Sequence, residues 1–526
     1  MPSSRDLRIG IDVGGTNTDA VIVDSRDRPV AKHKVPTTPD VTTGIQQALV
    51  GVLGDVPDAR RRVSHVMVGT THATNAILQG SELDRVAVLR IATPVRSAIP
   101  PLVTWPASLR ARVEVGSLIV RGGHEFDRTE TAPLDEDAIR RFAFDVGGRG
   151  SAIAVTSMFS PVSDVHELRA EEILREELGH GVKVSLSHEL GSLGLIERES
   201  ATVLNAALGT VATSVAKAIH DAVGAQGLTA ETLFAQNDGT LMTVDYAERF
   251  PVLTIGSGPA NSIRGAAYLS GRTEGLVIDI GGTSTDVGVL VNGFPRQSIS
   301  GARVGGVATN FRTPDLMSVA LGGGSIVAGS PASVRVGPDS VGYRLEQEAL
   351  VFGGATLTMT DAAVAAGRAA IGDGWSPNGR DHALLSAAIA RSDEMLADIV
   401  DRAKASRADV PLIAVGGGSI LIADHIPGVS EVIRPEHFDV ANAIGAAVAS
   451  VSGEYEGVLY HGSRKRPELL EQATARATER AIAAGADPTR VEVVEIEEVP
   501  IGYLTDTALR VRVKVVGPLP EGVDEC

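Results

Sequence analysis

The chain is almost without cysteine: the single one among its 526 residues is the last, Cys526. No disulfide can form within it, and both a cysteine-based zinc site and an internal cysteine nucleophile are excluded. Positive charge is also short. Lys and Arg number 48 against 65 Asp and Glu, a formal charge of −17, which argues against nucleic acid or an anionic membrane as the main partner. No apolar run approaches the roughly 18 residues of a membrane span, and Met1–Arg8 is short and polar, unlike a secretory leader. A soluble, cytoplasmic protein is expected. The sequence shows no Ser-His-Asp signature, no histidine cluster with metal-ligand spacing, no coiled coil and no low-complexity tract.

What is present is a chain with 43% hydrophobic residues, ample for packed cores and too long for one of them; two or three domains are expected. Its organising stretch is Val277–Val291, VIDIGGTSTDVGVLV. The apolar run Leu276–Ile280 reads as a buried strand, Gly281-Gly282-Thr283 as a tight turn, and Val287–Val291 as a strand pairing back. Adjacent glycines let the backbone approach a ligand and expose its N–H groups to phosphate oxygens. Thr283 and Ser284 add hydroxyl donors. A carboxylate on the strand beside them, Asp279, suits a hydrated Mg²⁺ that bridges phosphates.

The pattern occurs twice. Ile9–Val23 reads IGIDVGGTNTDAVIV, and Asp12, Gly14, Gly15, Thr16, Thr18 and Asp19 repeat Asp279, Gly281, Gly282, Thr283, Thr285 and Asp286 at identical spacing. Two such hairpins, about half the chain apart, imply two related half-molecules that each present a phosphate-binding turn. Further along, Gly69-Thr70-Thr71-His72-Ala73-Thr74-Asn75-Ala76 follows a short strand and enters a helix. Thr70, Thr71, Thr74 and Asn75 there suit either an anion or polar substrate group at a helix start, or simple N-capping. His124 and Asp127 could hold a metal, but their spacing fixes no geometry. Val415–Ile420, VGGGSI, follows an apolar strand, and LGGGSI occurs earlier at Leu321–Ile326.

Paired hairpins of this kind resemble the superfamily of actin, sugar kinases and heat-shock chaperone ATPases. The wording D-x-G-G-T-x-T-D, with GTT-x-x-TNA, resembles one branch, the ATP-dependent hydantoinase/oxoprolinase family, A-type subunit. The resemblance covers about residues 7 to 450. It implies an α/β fold of two ribonuclease-H-like (actin-like ATPase) domains, with mixed sheets flanked by helices and ATP with Mg²⁺ in the cleft between them. Helices on both faces of mixed sheets agree with the periodicity. The expected division is 1–195 for the first half, 196–452 for the second, and 453–526 for a small C-terminal α/β appendage.

The resemblance further implies that Gly416, Gly417 and Gly418 form the adenosine motif, that Asp12 and Asp279 serve the metal, and that Glu189, after a strand, orients an attacking group. Thr70, Thr71, Thr74 and Asn75 become substrate residues. The implied activity is ATP-dependent activation of a cyclic amide or imide carbonyl before hydrolytic ring opening, with a second hydrolase subunit as partner and an oligomeric enzyme. Alternatives are a small-molecule kinase of the sugar-kinase type, a carboxylase subunit, or an ATPase whose output is motion. Two departures stand out: Asn261 and Ser262 replace the two glycines that follow S-G-P-A in the family, and Val341–Phe352 replaces a run containing proline, glycine and cysteine.

Overall fold

The computed structural model describes residues 5–38, 41–92, 99–150, 152–191, 193–298, 301–372, 375–377, 379–460, 465–501 and 508–520; Cys526 lies outside them. The first hairpin, Leu7–Val13 with Asn17–Val23, sits inside a mixed nine-stranded sheet. Both strands are buried along almost their whole length, as a strand covered on both faces must be. From one edge the order runs Glu492–Ile501, Ala508–Gly517, Val451–Tyr460, Leu241–Thr243, Glu231–Ala235, Val63–Thr70, Leu7–Val13, Asn17–Val23, Pro29–Pro36.

The second hairpin, Gly275–Ile280 with Thr285–Val291, belongs to a six-stranded sheet with Val410–Val415 and Val429–Ile433 on one side. Helix Ser257–Ser270 packs on one face of this sheet and helix Gly379–Ala403 on the other. A third sheet of four parallel strands, in the order Glu114–Val120, Val86–Ile91, Ala152–Ser157, Lys183–Leu186, is inserted between strands Val63–Thr70 and Glu231–Ala235 of the first. Its core is closed by helix Glu136–Val146, which starts where the Asp135 carboxylate accepts from Ala138 N–H at 3.1 Å, and by helix Val165–Leu178.

The first and second sheets meet through two crossing helices of small residues. A side chain on Gly265 would overlap the Ala441 carbonyl, and one on Gly445 would overlap that of Asn261. Helix Ala441–Ala447 therefore lies backbone to backbone against Ser257–Ser270, and Gly10 admits its Ala443 to the first sheet in the same way.

The sheets cross the expected divisions of the chain. Strands Glu231–Ala235 and Leu241–Thr243, read in the second half, hydrogen-bond within the first sheet. The tail folds as a helix, Arg466–Ala483, and two strands, and its hairpin extends that sheet. Buried Leu469, Ala473 and Ala477 join the same core as Ile9 and Met67. Periodicity finds a strand and its buried face; it does not name the strand beside it. Among the described residues no single helix is long and apolar enough to cross a membrane.

Candidate nucleotide-binding site

Each hairpin closes in the same way. Gly14 N–H donates to the Asn17 carbonyl at 3.0 Å, and Gly281 N–H to that of Ser284 at 2.9 Å. Within each pair of strands the carboxylates face one another in register, Asp12 with Asp19 and Asp279 with Asp286. The two turns touch: a Cβ on Gly282 would lie 2.7 Å from Thr16 Oγ1. Thr37 ties the first turn down, its N–H to the Thr16 carbonyl and its hydroxyl to the Gly14 carbonyl. The second turn is held by the earlier glycine run, whose Gly323 and Gly324 N–H groups donate to the Gly281 and Gly282 carbonyls. That run had no role in the sequence reading. Its signal was the repetition of GGGSI.

The duplication extends one strand further. Asp12 pairs in parallel register with Gly69 and Asp279 with Val415. Each neighbouring strand therefore ends beside a carboxylate, one in Gly69-Thr70-Thr71 and the other in Val415-Gly416-Gly417-Gly418. At both places only a glycine fits: a Cβ on Gly69 would sit 2.7 Å from Asp12 Oδ1, and one on Gly416 would overlap Asp279 Oδ1. Gly416 also has φ +84°, a conformation that costs a side chain but not a glycine. Gly15 and Gly417, by contrast, would meet nothing within 4 Å. They face open space, where a ligand can approach the backbone.

Burial pushes Asp12 up to about 7, helped by the nearby charge of Asp19 and, less, of Asp279, and opposed by a hydrogen bond from Asn442 at 3.3 Å. Burial likewise pushes Asp279 up to about 6, opposed by the Ser262 hydroxyl at 2.5 Å. Neither carboxylate has an ion-pair partner within 4 Å among the described residues, whereas Asp19 has Lys34 at 2.7 Å. Asp12 Oδ1 and both polar atoms of Asn261 are buried with no hydrogen-bond partner. Two carboxylates without counter-charge and an oxygen without a donor are what a hydrated divalent cation would satisfy. The residues fit Mg²⁺.

Asn261, Ser262 and Asn442 were not marked as site residues in the sequence. The first two stood out only as departures from a glycine pair, and Asn442 lies among small residues in helix Ala441–Ala447. Their positions beside Asp12 and Asp279 come from the helix crossing.

The polar segment after Gly69 divides. Thr71 and Asn75 line a cleft of about 480 Å³ with Gly14, Gly15, Thr18 and Thr37. Thr70 is buried and bonded to His72 Nδ1, and it takes the His72 N–H at 3.2 Å. Thr71 occupies the N-cap position of helix His72–Gln79 without a side-chain cap bond; its hydroxyl reaches the Val13 carbonyl at 3.4 Å. Thr74 is half-buried and outside that lining. Glu189 is not brought to the hairpins. It lies in a short helix, Ser187–Leu190, is ion-paired with Arg249, and lines a different cavity. His124 stacks on His166, whose Nδ1 accepts from Gly123 N–H at 2.9 Å. No group of three or more metal-ligating side chains occurs among the described residues.

The description "Hydantoinase/oxoprolinase N-terminal region" matches residues 8–178, and "Hydantoinase/oxoprolinase" matches residues 198–382. The chain belongs to the hydantoinase/oxoprolinase family. Within that family it is 31% identical to the acetophenone carboxylase gamma subunit of Aromatoleum aromaticum over 68% of this chain and 53% of that one. To the caprolactamase subunit alpha of Pseudomonas jessenii it is 29% identical over 85% of this chain and 66% of that one. It thus spans between half and two thirds of these relatives. The crystal structure of the ATP-dependent caprolactamase from Pseudomonas jessenii superposes with a TM-score of 0.74 at 20% identity, over 98% of this chain and 88% of that one. The fold is the family's actin-like ATPase fold, α/β with mixed sheets and flanking helices.

Proposed function

We propose that the chain is the nucleotide-handling subunit of an ATP-dependent enzyme that activates a cyclic amide or imide before hydrolytic ring opening. One observation carries this reading: two duplicated glycine turns in contact, each backed by a strand carboxylate without counter-charge. An amide is a poor electrophile because its nitrogen donates into the carbonyl. Transfer of the terminal phosphoryl group of ATP to the carbonyl oxygen, with ADP leaving, makes the carbon a better electrophile. Water adds there, the C–N bond breaks as the ring nitrogen takes a proton, and the resulting acyl phosphate is hydrolysed to carboxylate and phosphate.

In this scheme Gly14, Gly15, Thr16 and Gly281, Gly282, Thr283, Ser284 bind the phosphates through backbone N–H and hydroxyl groups, and Gly416–Gly418 lie against the adenosine. Asp12 and Asp279 would hold Mg²⁺, which neutralises phosphate charge when bound. Thr71 and Asn75, beside Gly14 and Gly15 in the larger cleft, orient the amide. Catalysis is positioning and charge neutralisation. Glu189, bonded to Arg249 away from the turns, is not the group that activates water here. That step falls to a partner subunit, and the cytoplasm supplies the ATP.

The name of the 31%-identical relative favours a second reading, a carboxylase subunit. The deciding experiment is reconstitution with the product of a neighbouring gene. ATP hydrolysis stimulated by hydantoins or lactams, with ring opening only in the mixture, supports the amide reading. Stimulation by ketones with bicarbonate and by no amide moves the assignment to a carboxylase.

A further inference from the structure

The cavity that holds Glu189 shares no lining residue with the cleft at the first turn. It measures about 110 Å³, several times the roughly 10–15 Å³ that one water needs. Four separate parts of the chain build it, one of them the segment that carries Phe311 and Arg312. Glu189 and Leu190 come from the end of the inserted sheet, and Asn237, Asp238, Tyr246 and Phe250 from the turn and helix after strand Glu231–Ala235. The tail and the strand before it give Glu454, Glu456 and Arg480. Tyr246, Phe250 and Phe311 put three rings around it in a chain with only 3% aromatic residues. An apolar wall with a few convergent polar groups is the usual form of a small-molecule site.

Its carboxylates are already engaged. Asp238 accepts from Ser452 at 2.9 Å and pairs with Lys514 at 2.8 Å. Both Glu454 oxygens take Arg512, Glu456 pairs with Arg510 and Arg312, and Glu189 with Arg249. The donors are not. Asn237 is 6% exposed, and its amide nitrogen has no acceptor. The hydrogen bonds of Arg480 among the described residues go to the backbone carbonyls of Glu454 and His188. Among the described residues it is the lining cation with no carboxylate within 4 Å. Burial holds the Tyr246 phenol above its ordinary range, so it stays protonated as a donor.

We infer that this cavity is a second ligand site, separate from the nucleotide cleft, and that it takes a short-chain carboxylate. The ligand's oxygens meet Arg480 and the Asn237 amide, and its chain lies against Tyr246, Phe250 and Phe311. A buried amide donor without an acceptor costs free energy that an anionic oxygen recovers. The tail thereby has a binding role, since Arg480 is its contribution.

The test is calorimetric titration of the full chain with propionate and with its neutral isostere propionamide. Propionate is expected to bind and propionamide to bind about tenfold more weakly or not at all. Arg480→Gln and the isosteric Asn237→Asp are each expected to weaken propionate about tenfold or more, with melting temperature and circular dichroism showing an intact fold. Arg480→Lys, which keeps the charge, should recover part of that loss. Saturating Mg-ADP should leave the propionate affinity unchanged.

No heat of binding up to about 50 mM propionate, equal or tighter binding of propionamide, or unchanged affinity in both loss variants overturns the inference. So does displacement of propionate by Mg-ADP, which would make the two sites one. None of these readouts uses ATP turnover, so the proposed function stands or falls separately.

Discussion

Asn442 Nδ2 lies 3.3 Å from Asp12 Oδ2, joining the first strand of the chain to a helix 430 residues later. The contact exists because glycines at 10, 265 and 445 let helix Ala441–Ala447 press against a strand on one side and a helix on the other. Asn442 thus ties the helix crossing to a carboxylate beside the first glycine turn.

Gly445→Val tests that crossing. Its Cβ would overlap the Asn261 carbonyl, and backbone cannot give way as a flexible side chain does. Overpacking of this kind costs about 1–3 kcal/mol. The expected outcome is a lower melting temperature together with weaker Mg-ADP binding, since Asn261 and Asn442 both move. A variant with wild-type melting and affinity would show that the close approach is dispensable.

The two central carboxylates predict an unusual pH response. Asp12 and Asp279, with folded values of about 7 and about 6, stand above the roughly 3.9 of an unfolded Asp. Between those values the folded state holds the extra protons. The stabilising effect of protonation is therefore fully present below about pH 4 and lost as pH rises to about 7. Melting of the metal-free protein should show this loss relative to Asp12→Asn, and Mg²⁺ with ADP should raise the melting temperature more at pH 8 than at pH 5. A pH-independent Mg²⁺ effect would contradict the assignment.

Asp12→Asn and Asp279→Asn should each weaken metal-dependent nucleotide binding by at least about tenfold. Both should melt no lower than wild type at pH 8 without metal, because each removes a buried charge that lacks a partner. Equal ATP titrations for both variants and wild type would refute the metal role.

Gly417→Val probes the proposed adenosine contact. A Cβ there meets nothing within 4 Å in the protein, so the fold should be little affected while the ADP dissociation constant rises. A structure with nucleotide bound far from residues 415–420 would remove the assignment.

Arg90 and Glu199 make a bidentate pair at 2.6 and 2.7 Å, each side chain 1% exposed. Glu199→Leu strands a buried guanidinium, which costs about 3–5 kcal/mol. Denaturant unfolding should show that loss, and the double variant Arg90→Leu, Glu199→Leu should regain part of it. A single variant as stable as wild type would mean that water reaches Arg90.

The sequence by itself determined the two glycine hairpins. Asp12 and Asp279, the turn glycines and the flanking apolar strands are local: strand periodicity and paired glycines dictate a hairpin wherever the segment lands. The identical spacing of the two copies was enough to imply two halves, and the structure repeats even their closing hydrogen bonds. Helix Ala107–Val113 is less legible, because its preceding proline, Pro106, is as compatible with a loop as with a helix start. Only the tertiary structure decided which distant groups surround the carboxylates. Asn261, Ser262 and Asn442 reach them through a helix crossing, Gly323 and Gly324 through loop-to-turn bonds, and Arg480 reaches its cavity because the tail's strands extend the first sheet. Such contacts depend on which elements pack together, and that choice is made by the summed burial of the whole core rather than by any local pattern.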